Sequence, residues 1–584
     1  MLRWSFLALS LLAGCSLPQN IVRGSNGLPD FTHDEGSWRD VDVVMRDGIK
    51  LKTHILMPQG VEKAPVVLMR NPYPRDILFK FSCSVFVRYG IGCIVQDVRG
   101  QRESEGEWAP LIHEVDDGED TLAWVDAQPF VESIALYGQS YLAGTALAAS
   151  HDLPPKVKTL VLAVFGTDLR QVVSERGLFP HELITAWASY MPGKERPANP
   201  QKSFEIALAH RPHLTCDEPA FGGKKEWYRA WLDATLPSAA VWQLPANVKF
   251  AAIPPRIQVP VLFIEGYDDP FLLAGLDTFA RLGSRERSHL VLLPTSHVGL
   301  QPGDVEMSKA DGQYLWKLPV PWLLHHLKGV PLPFPATGVT SYGRGVQEPV
   351  HRAEWPPPTT QVDWQLTDSQ APKDNDCPER VMTESDVETR PGVEVSYRYN
   401  PLKPWPSEGG ARGLGMKLLV AGTLTPGPVR QTWDCSRQDV LRFIGPTNRN
   451  ATRIAGRMQV LLRVKSTAKD TAFYAKLVDI DEKGNAVHVT DGAATLRLPT
   501  AKDIEWVPYE PGSTRALELE LLPTEWVLQP YHRFGLWISS SNYPALSAHL
   551  NTETPWFQTR EPLLATQTIF LNGPSKLILR VVKE

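Results

Sequence analysis

Residues 137–144 read YGQSYLAG and follow directly on the apolar run SIAL (133–136). An apolar strand that stops at Gly-x-Ser and restarts as a run of small residues is how an α/β hydrolase exposes a nucleophile. The serine sits on a strained strand-to-helix turn, and its neighbours must be small because helix and strand pack closely there. Gly138 meets that need, and Ala143 and Gly144 keep the following helix slim. The second glycine of G-x-S-x-G is missing, since Leu142 stands two residues after Ser140. By itself the stretch leaves Ser140 open between a nucleophile and an ordinary turn serine.

The surrounding sequence supplies the context that such a turn requires. APVVLMRNPY (64–73), IGCIVQDVRG (91–100), VKTLVLAVFG (157–166), VPVLFIEG (259–266) and HLVLLPTSH (289–297) are short, rich in β-branched residues and ended by turn formers. Near-continuous apolar runs of this kind are strands buried on both faces, as in a parallel sheet covered by helices. Helical patterns at DDGEDTLAWVDAQ (116–128) and LAGTALAASH (142–151) alternate with them, which predicts a doubly wound α/β domain. Between 168 and 250 the sequence turns helical and aromatic, with proline-rich joints. An insertion there overlies the carboxyl ends of the strands, where ligands bind in such sheets. It reads as a helical cap whose Trp187, Tyr190 and Trp231 either line an acyl pocket or form the cap's own core.

Past about residue 335 the pattern changes again. WPPPTT (355–360) resembles a linker, and short strands follow, among them ALELELL (516–522), whose alternation puts Leu517, Leu519 and Leu521 on one face. Many such strands with Gly, Pro and Asn turns predict a β-sandwich. The expected organisation is a catalytic domain over 30–167 and 251–335, a cap over 168–250, and the sandwich over 336–584. A chain of 584 residues is too long for a single core, in keeping with this division. A net charge of −5 gives no pull towards nucleic acid.

Chain order offers partners for Ser140. In an α/β hydrolase the acid and then the histidine follow the serine, each just past a strand end. VPVLFIEG is followed by Tyr267-Asp268-Asp269, and HLVLLPTS by His297; on position alone either aspartate serves. A neutral imidazole would take the serine proton while the acid fixes its tautomer. Charge on the tetrahedral oxyanion needs donors, for which the N–H of Tyr141 and the hydroxyl of Tyr73, in the loop after an early strand, are placed. His325-His326 reads as structural, and His113-Glu114 lacks the second histidine of a zinc helix. Neither a metal nor a cofactor is implied.

With these residues in view the chain resembles the cocaine esterase and X-Pro dipeptidyl-peptidase group (CocE/NonD), which includes α-amino-acid ester hydrolases. The likeness runs from VVMRDGIKLKTHILMP (43–58) to SKLILRVV (575–582). RNPYPRD matches the family's strand-end Asn-Pro-Tyr, implying that Tyr73 donates to the oxyanion. QDVRGQRESEGEW matches its Asp-Val-Arg-Gly signature through Asp97, Arg99 and Gly100, which reads as structural. GQSYLA matches G-x-S-Y-x-G, so the departure is one methyl group, Ala143 for glycine. The resemblance makes Ser140 the nucleophile, Asp269 the acid with Asp268 as fallback, and His297 the base. It implies an α/β-hydrolase fold with a helical cap and a C-terminal jelly roll, acting on a small ester or short peptide. The α-amino-acid ester hydrolases hold the substrate ammonium with carboxylates just beyond the acid, but Asp269 is followed by Pro-Phe-Leu-Leu. The expected activity is therefore hydrolysis of a carboxylic ester, or an amide, with a neutral acyl group; the dipeptidyl-peptidase and amino-acid-ester branches are the alternatives. A non-catalytic surface binding protein on a spent hydrolase scaffold is the reading from another class, and retention of all four site residues speaks against it.

The leader MLRWSFLALSLLAGCS joins one arginine to an apolar stretch shorter than the ~20 residues of a spanning helix. Leu12-Ala13-Gly14-Cys15 resembles the bacterial lipobox, implying removal of the preceding peptide, acylation of Cys15 and membrane anchoring. Ser16 in the next position fits the outer membrane. Five cysteines remain, an odd number, so at least one stays unpaired within the chain, and Cys377 with Cys435 is the expected disulfide.

Overall fold

Val66 and Leu68 belong to one apolar core while Val67 and Met69 belong to another, so a single strand feeds both faces of the sheet. The same alternation recurs at Val261 and Phe263 against Leu262 and Ile264. This is why the strands read as unbroken apolar runs: each is covered by helices on both sides. The computed structural model describes residues 23–583, except 25, 74–75, 192–193, 195–196, 298–315, 346–347, 372–376, 385–391 and 415–420. The leader and Cys15 lie outside the described residues.

The first sheet has ten strands: β1 (Arg39–Val44), β2 (Lys50–Leu56), β3 (Ala64–Asn71), β4 (Gly92–Asp97), β5 (Val131–Gln139), β6 (Val157–Ala163), β7 (Val261–Asp268), β8 (His289–Ser296), β9 (Gly338–Ser341) and β10 (Val350–Arg352). Their spatial order is β1-β2-β4-β3-β5-β6-β7-β8-β9-β10. From β4 to β9 all neighbours are parallel, and antiparallel pairs close both edges. Helices α1 (Asp76–Arg88) and α5 (Pro319–Lys328) contribute to the core on one face. Helices α2 (Glu114–Asp126), α3 (Tyr141–Ala149) and α4 (Leu272–Ala280) contribute to the core on the other. The strand order reverses between β3 and β5, which opens the crevice at their carboxyl ends that α/β enzymes use.

Between β6 and β7 the described residues form helices, including Pro200–Ala209, Glu226–Asp233 and Pro245–Ala251, and no named strand. Apolar residues of this segment, such as Phe179, Leu183, Tyr228 and Leu232, merge with the core that includes α3. Among the described residues thirteen further strands, from Thr359–Gln370 to Lys576–Val582, form the C-terminal β domain around a second core. Leu517, Leu519 and Leu521 are buried as their alternation predicts.

Three details depart from expectation. β9 and β10 lie past residue 335 yet complete the first sheet. WPPPTT is packed rather than linker-like: Trp355 donates its indole N–H to Glu525 Oε2 (3.1 Å), and Thr359 opens a strand. Cys377–Cys435 is joined by a second disulfide, Cys83–Cys93, which ties α1 to β4. Cys216 remains a buried thiol, pushed up to about 12 by burial.

Trp322 on α5 is fully buried and donates its indole N–H to Thr159 Oγ1 (2.7 Å), pinning the helix to β6. Truncation there opens a cavity and removes the indole N–H from the Thr159 hydroxyl, which keeps its bond to the Pro260 carbonyl. Trp322→Ala is expected to destabilise the catalytic domain by about 3–5 kcal/mol, read from the urea midpoint of its transition.

Candidate active site

β5 ends at Gln139 and α3 begins at Tyr141, leaving Ser140 alone at the turn with φ 57° and ψ −132°. A non-glycine residue in that region is strained and persists only where its surroundings impose it. Here its N–H is held by the Ala163 carbonyl (2.9 Å), and its own carbonyl accepts from Ala143 (2.8 Å) and Gly144 (3.1 Å). A Cβ on Gly138 would fall 2.1 Å from the Leu142 carbonyl oxygen, so that position tolerates only hydrogen. A Cβ on Gly144 would fall 2.7 Å from the Phe165 ring. Ala143, where the family pattern has glycine, is fully buried in the core.

The partners come from the next two strand ends. His297 follows β8, with Nε2 2.7 Å from Ser140 Oγ and Nδ1 2.7 Å from Asp269 Oδ2. Asp269 follows β7, and its other oxygen accepts the Phe271 N–H (2.7 Å). The register of β7 against β8 shifts between Gly266 and Asp268, where a Cβ on Gly266 would meet the Thr295 carbonyl at 2.3 Å. Asp268, the fallback acid, is taken up elsewhere: its Oδ1 accepts from Arg344 Nη1 (2.7 Å), while burial raises its carboxyl to about 6. One carboxylate thus meets the histidine and its neighbour meets an arginine. A third carboxyl, Glu265 on β7, accepts the Phe165 N–H (3.1 Å) and is raised strongly by burial and by Asp269.

Tyr73 sits in a turn that Asn71 makes by accepting its N–H (2.9 Å) and donating to its carbonyl (2.9 Å). Burial raises the Tyr73 phenol, while Ser140, Trp187 and the Tyr141 N–H lie close enough to it to offset part of that rise. Hydroxyl and N–H therefore meet beside Ser140 Oγ, where a carbonyl oxygen would gain charge during acyl transfer. The Tyr141 side chain faces elsewhere, donating to Glu114 and accepting the Leu111 N–H (2.9 Å). Burial lifts Glu114 to about 7.

An aromatic wall adjoins this centre. Trp187 stacks on Tyr141 (centroids 6.0 Å, 21°) and on Trp231 (6.0 Å, 14°), with Trp108 and Trp227 edge-on at 5.6 and 5.7 Å. Tyr190 lies near enough to Tyr73 to interact with it electrostatically. Phe271 stacks on Phe165 (4.8 Å) and lies 5.4 Å from the His297 ring. Trp108 and Trp227 escaped the sequence reading, which weighed Glu114 only as part of a zinc helix; the tryptophan of GEW (106–108), closing the Asp-Val-Arg-Gly stretch, was the available clue. Of the signature itself, Arg99 pairs with Asp47 and Asp117, and Gly100 is needed because a Cβ would sit 2.3 Å from the Trp108 nitrogen. His326 packs on Trp322 (4.4 Å), and His325 Nδ1 lies 2.8 Å from the Val330 carbonyl.

A doubly wound sheet with a strained serine hydrogen-bonded to a histidine, and that histidine to an aspartate, defines a serine hydrolase of the α/β-hydrolase class. Comparison with known proteins is specific. Residues 47–299 match the family described as X-Pro dipeptidyl-peptidase (S15 family), and residues 336–577 match the X-Pro dipeptidyl-peptidase C-terminal non-catalytic domain. Cocaine esterase from Rhodococcus sp. (strain MB1 Bresler) is 26% identical over 581 residues, covering 93% of this chain and 98% of the relative. Among solved structures, an α-amino acid ester hydrolase superposes with a TM-score of 0.77 at 20% identity, covering 95% of this chain and 98% of its own. An aminopeptidase from a marine-sediment Thaumarchaeota archaeon gives 0.75 at 21%, with the same coverage. The chain belongs to the CocE/NonD family of serine hydrolases.

Because Gly138 has no room for a methyl group, Gly138→Ala must move the turn that carries Ser140. We expect kcat/KM to fall about 100-fold with the fold retained, measured by ester hydrolysis beside circular dichroism.

Proposed function

We propose that the protein is a carboxylic-ester hydrolase acting on esters with a neutral, ring-bearing or bulky apolar acyl group. Ser140 Oγ attacks the acyl carbon while His297 Nε2 accepts its proton, and Asp269 stabilises the imidazolium through Nδ1. The oxyanion is received by the Tyr73 hydroxyl and the Tyr141 N–H, whose preorganisation is worth most in a water-poor cleft. His297 then protonates the leaving alcohol, and water releases the acid from the Ser140 ester by the same steps in reverse. The observation that carries the reading is the unbroken pair of 2.7 Å contacts through His297 beside the aromatic wall. The acyl preference is supported by Trp108, Trp187, Trp227 and Phe271, and by the use of the two positions after Asp269 for packing rather than for a carboxylate.

The test is turnover by full-length protein of aryl and alkyl p-nitrophenyl esters beside Xaa-Pro anilides bearing a free N-terminus. Ser140→Ala is expected to abolish ester turnover. Tyr73→Phe is expected to lower kcat by about 100-fold or more while leaving KM nearly unchanged, because the lost hydroxyl serves the transition state. Turnover of the anilides with little ester hydrolysis would move the protein to the dipeptidyl-peptidase branch.

We also propose export and lipid anchoring at Cys15. The lipobox-like Leu12-Ala13-Gly14-Cys15 supports this, as do two disulfides, which persist in oxidising compartments. Metabolic labelling with a tritiated fatty acid should mark the wild type, and Cys15→Ala should be unlabelled and recovered in the soluble fraction; equal labelling of both contradicts the anchor.

A further inference from the structure

The two residues ahead of Asp269 are both gripped by the C-terminal β domain. Asp268 meets Arg344, which is 1% exposed and held through its backbone and both Nη atoms. Its N–H donates to the Glu525 carbonyl (3.0 Å), and its carbonyl accepts from Val527 (3.0 Å), so its backbone is laced to the strand Thr524–Leu528. Its Nη2 donates to Thr524 Oγ1 (2.6 Å) and the Val489 carbonyl (3.3 Å), and its guanidinium lies 5.2 Å from the centre of the Trp526 ring. Tyr267, one residue earlier, donates its hydroxyl to Glu525 Oε2 (3.1 Å), a carboxylate that also pairs with Arg352 (3.2 Å) and Arg453. Neighbouring residues of one strand, Thr524 and Glu525, thus secure neighbouring residues of another, with Asp269 next in line.

A buried ion pair is poor support for stability, because desolvation offsets most of the attraction. What it does impose is geometry, since a planar guanidinium that also donates to two fixed acceptors, Thr524 Oγ1 and the Val489 carbonyl, leaves its carboxylate partner little freedom. Asp269 must keep one oxygen on His297 Nδ1, and a displacement of about 1 Å in such a contact is enough to lower turnover substantially.

We propose that Arg344 is a positioning residue for hydrolysis: it carries the rigidity of the β domain through Asp268 into the loop that holds Asp269 against His297. The proposal rests on the Ser140–His297–Asp269 reading and is independent of the acyl group preferred. Arg344 touches neither substrate nor reacting atoms.

The experiment measures Ser140-dependent turnover of a p-nitrophenyl ester, taken as the rate above that of Ser140→Ala. Failure of the triad reading would appear as turnover persisting in Ser140→Ala, apart from any effect at Arg344. Arg344→Gln is expected to lower kcat about tenfold or more with KM within about threefold, because the loss falls on the transition state. Arg344→Lys, retaining the charge but not the fork, should recover part of that loss. Asp268→Asn, which keeps an oxygen for Nη1, should stay nearer wild type than Arg344→Gln. If Arg344→Gln does not fold, Thr524→Val removes the shorter of the two Nη2 contacts at nearly constant shape and should lower kcat about threefold or more at constant KM. Unchanged kcat in the variant that folds overturns the proposal. So does a rise in KM equal to the loss in kcat/KM, or a loss that Arg344→Lys leaves as large as Arg344→Gln does.

Discussion

The backbone at Ser140 is the constraint from which the rest of the site follows. A serine at φ 57° is held there only because β5 is buried on both sides and α3 leaves it at once, with hydrogen alone at Gly138 to let the helix in. That turn lifts the hydroxyl clear of the sheet and brings the Tyr141 N–H beside it. The parallel strands β7 and β8 then deliver the acid and the imidazole to the same edge. Asp269 and His297 each lie one residue past a fully buried strand, and Ser140 one residue past the end of β5. The precision of the site is therefore that of the sheet.

The β domain takes part in this precision. It meets the catalytic half at the loop ahead of Asp269 and also at the root of the cap. There Glu175 accepts from Arg412 Nε (2.7 Å) and from the Ala493 N–H (2.8 Å), and Phe179 exchanges hydrogen bonds with Ser547. The cap in turn presents Trp187 to Tyr141 and Tyr73. Asp269, the aromatic wall and Tyr73 are thus all braced by contacts that begin far away in sequence.

Distance in sequence also explains what could be read in advance. The fold class was legible because buried parallel strands and half-buried β-domain strands carry different apolar periods. Ser140, Asp269 and His297 were legible as a constellation because each follows a strand in a fixed order. The choice between Asp268 and Asp269 was not available from position after the strand and rested on the family resemblance. Both are buried carboxylates in the structure, and what separates them is Arg344, 76 residues away. The Cys83–Cys93 bridge depends on how α1 crosses β4, and the role of Trp108 depends on the cap closing over it. β9 and β10 escaped assignment because three- and four-residue strands carry almost no periodicity of their own.

Mapping the covalent adduct left by an irreversible fluorophosphonate tests the central claim most directly, because only an activated serine attacks phosphorus at neutral pH. The account predicts one adduct per chain, on the peptide containing Ser140, with ester hydrolysis lost in step with labelling and no adduct in His297→Ala. A phosphonylated residue elsewhere, or full esterase activity in a protein labelled at Ser140, would contradict it.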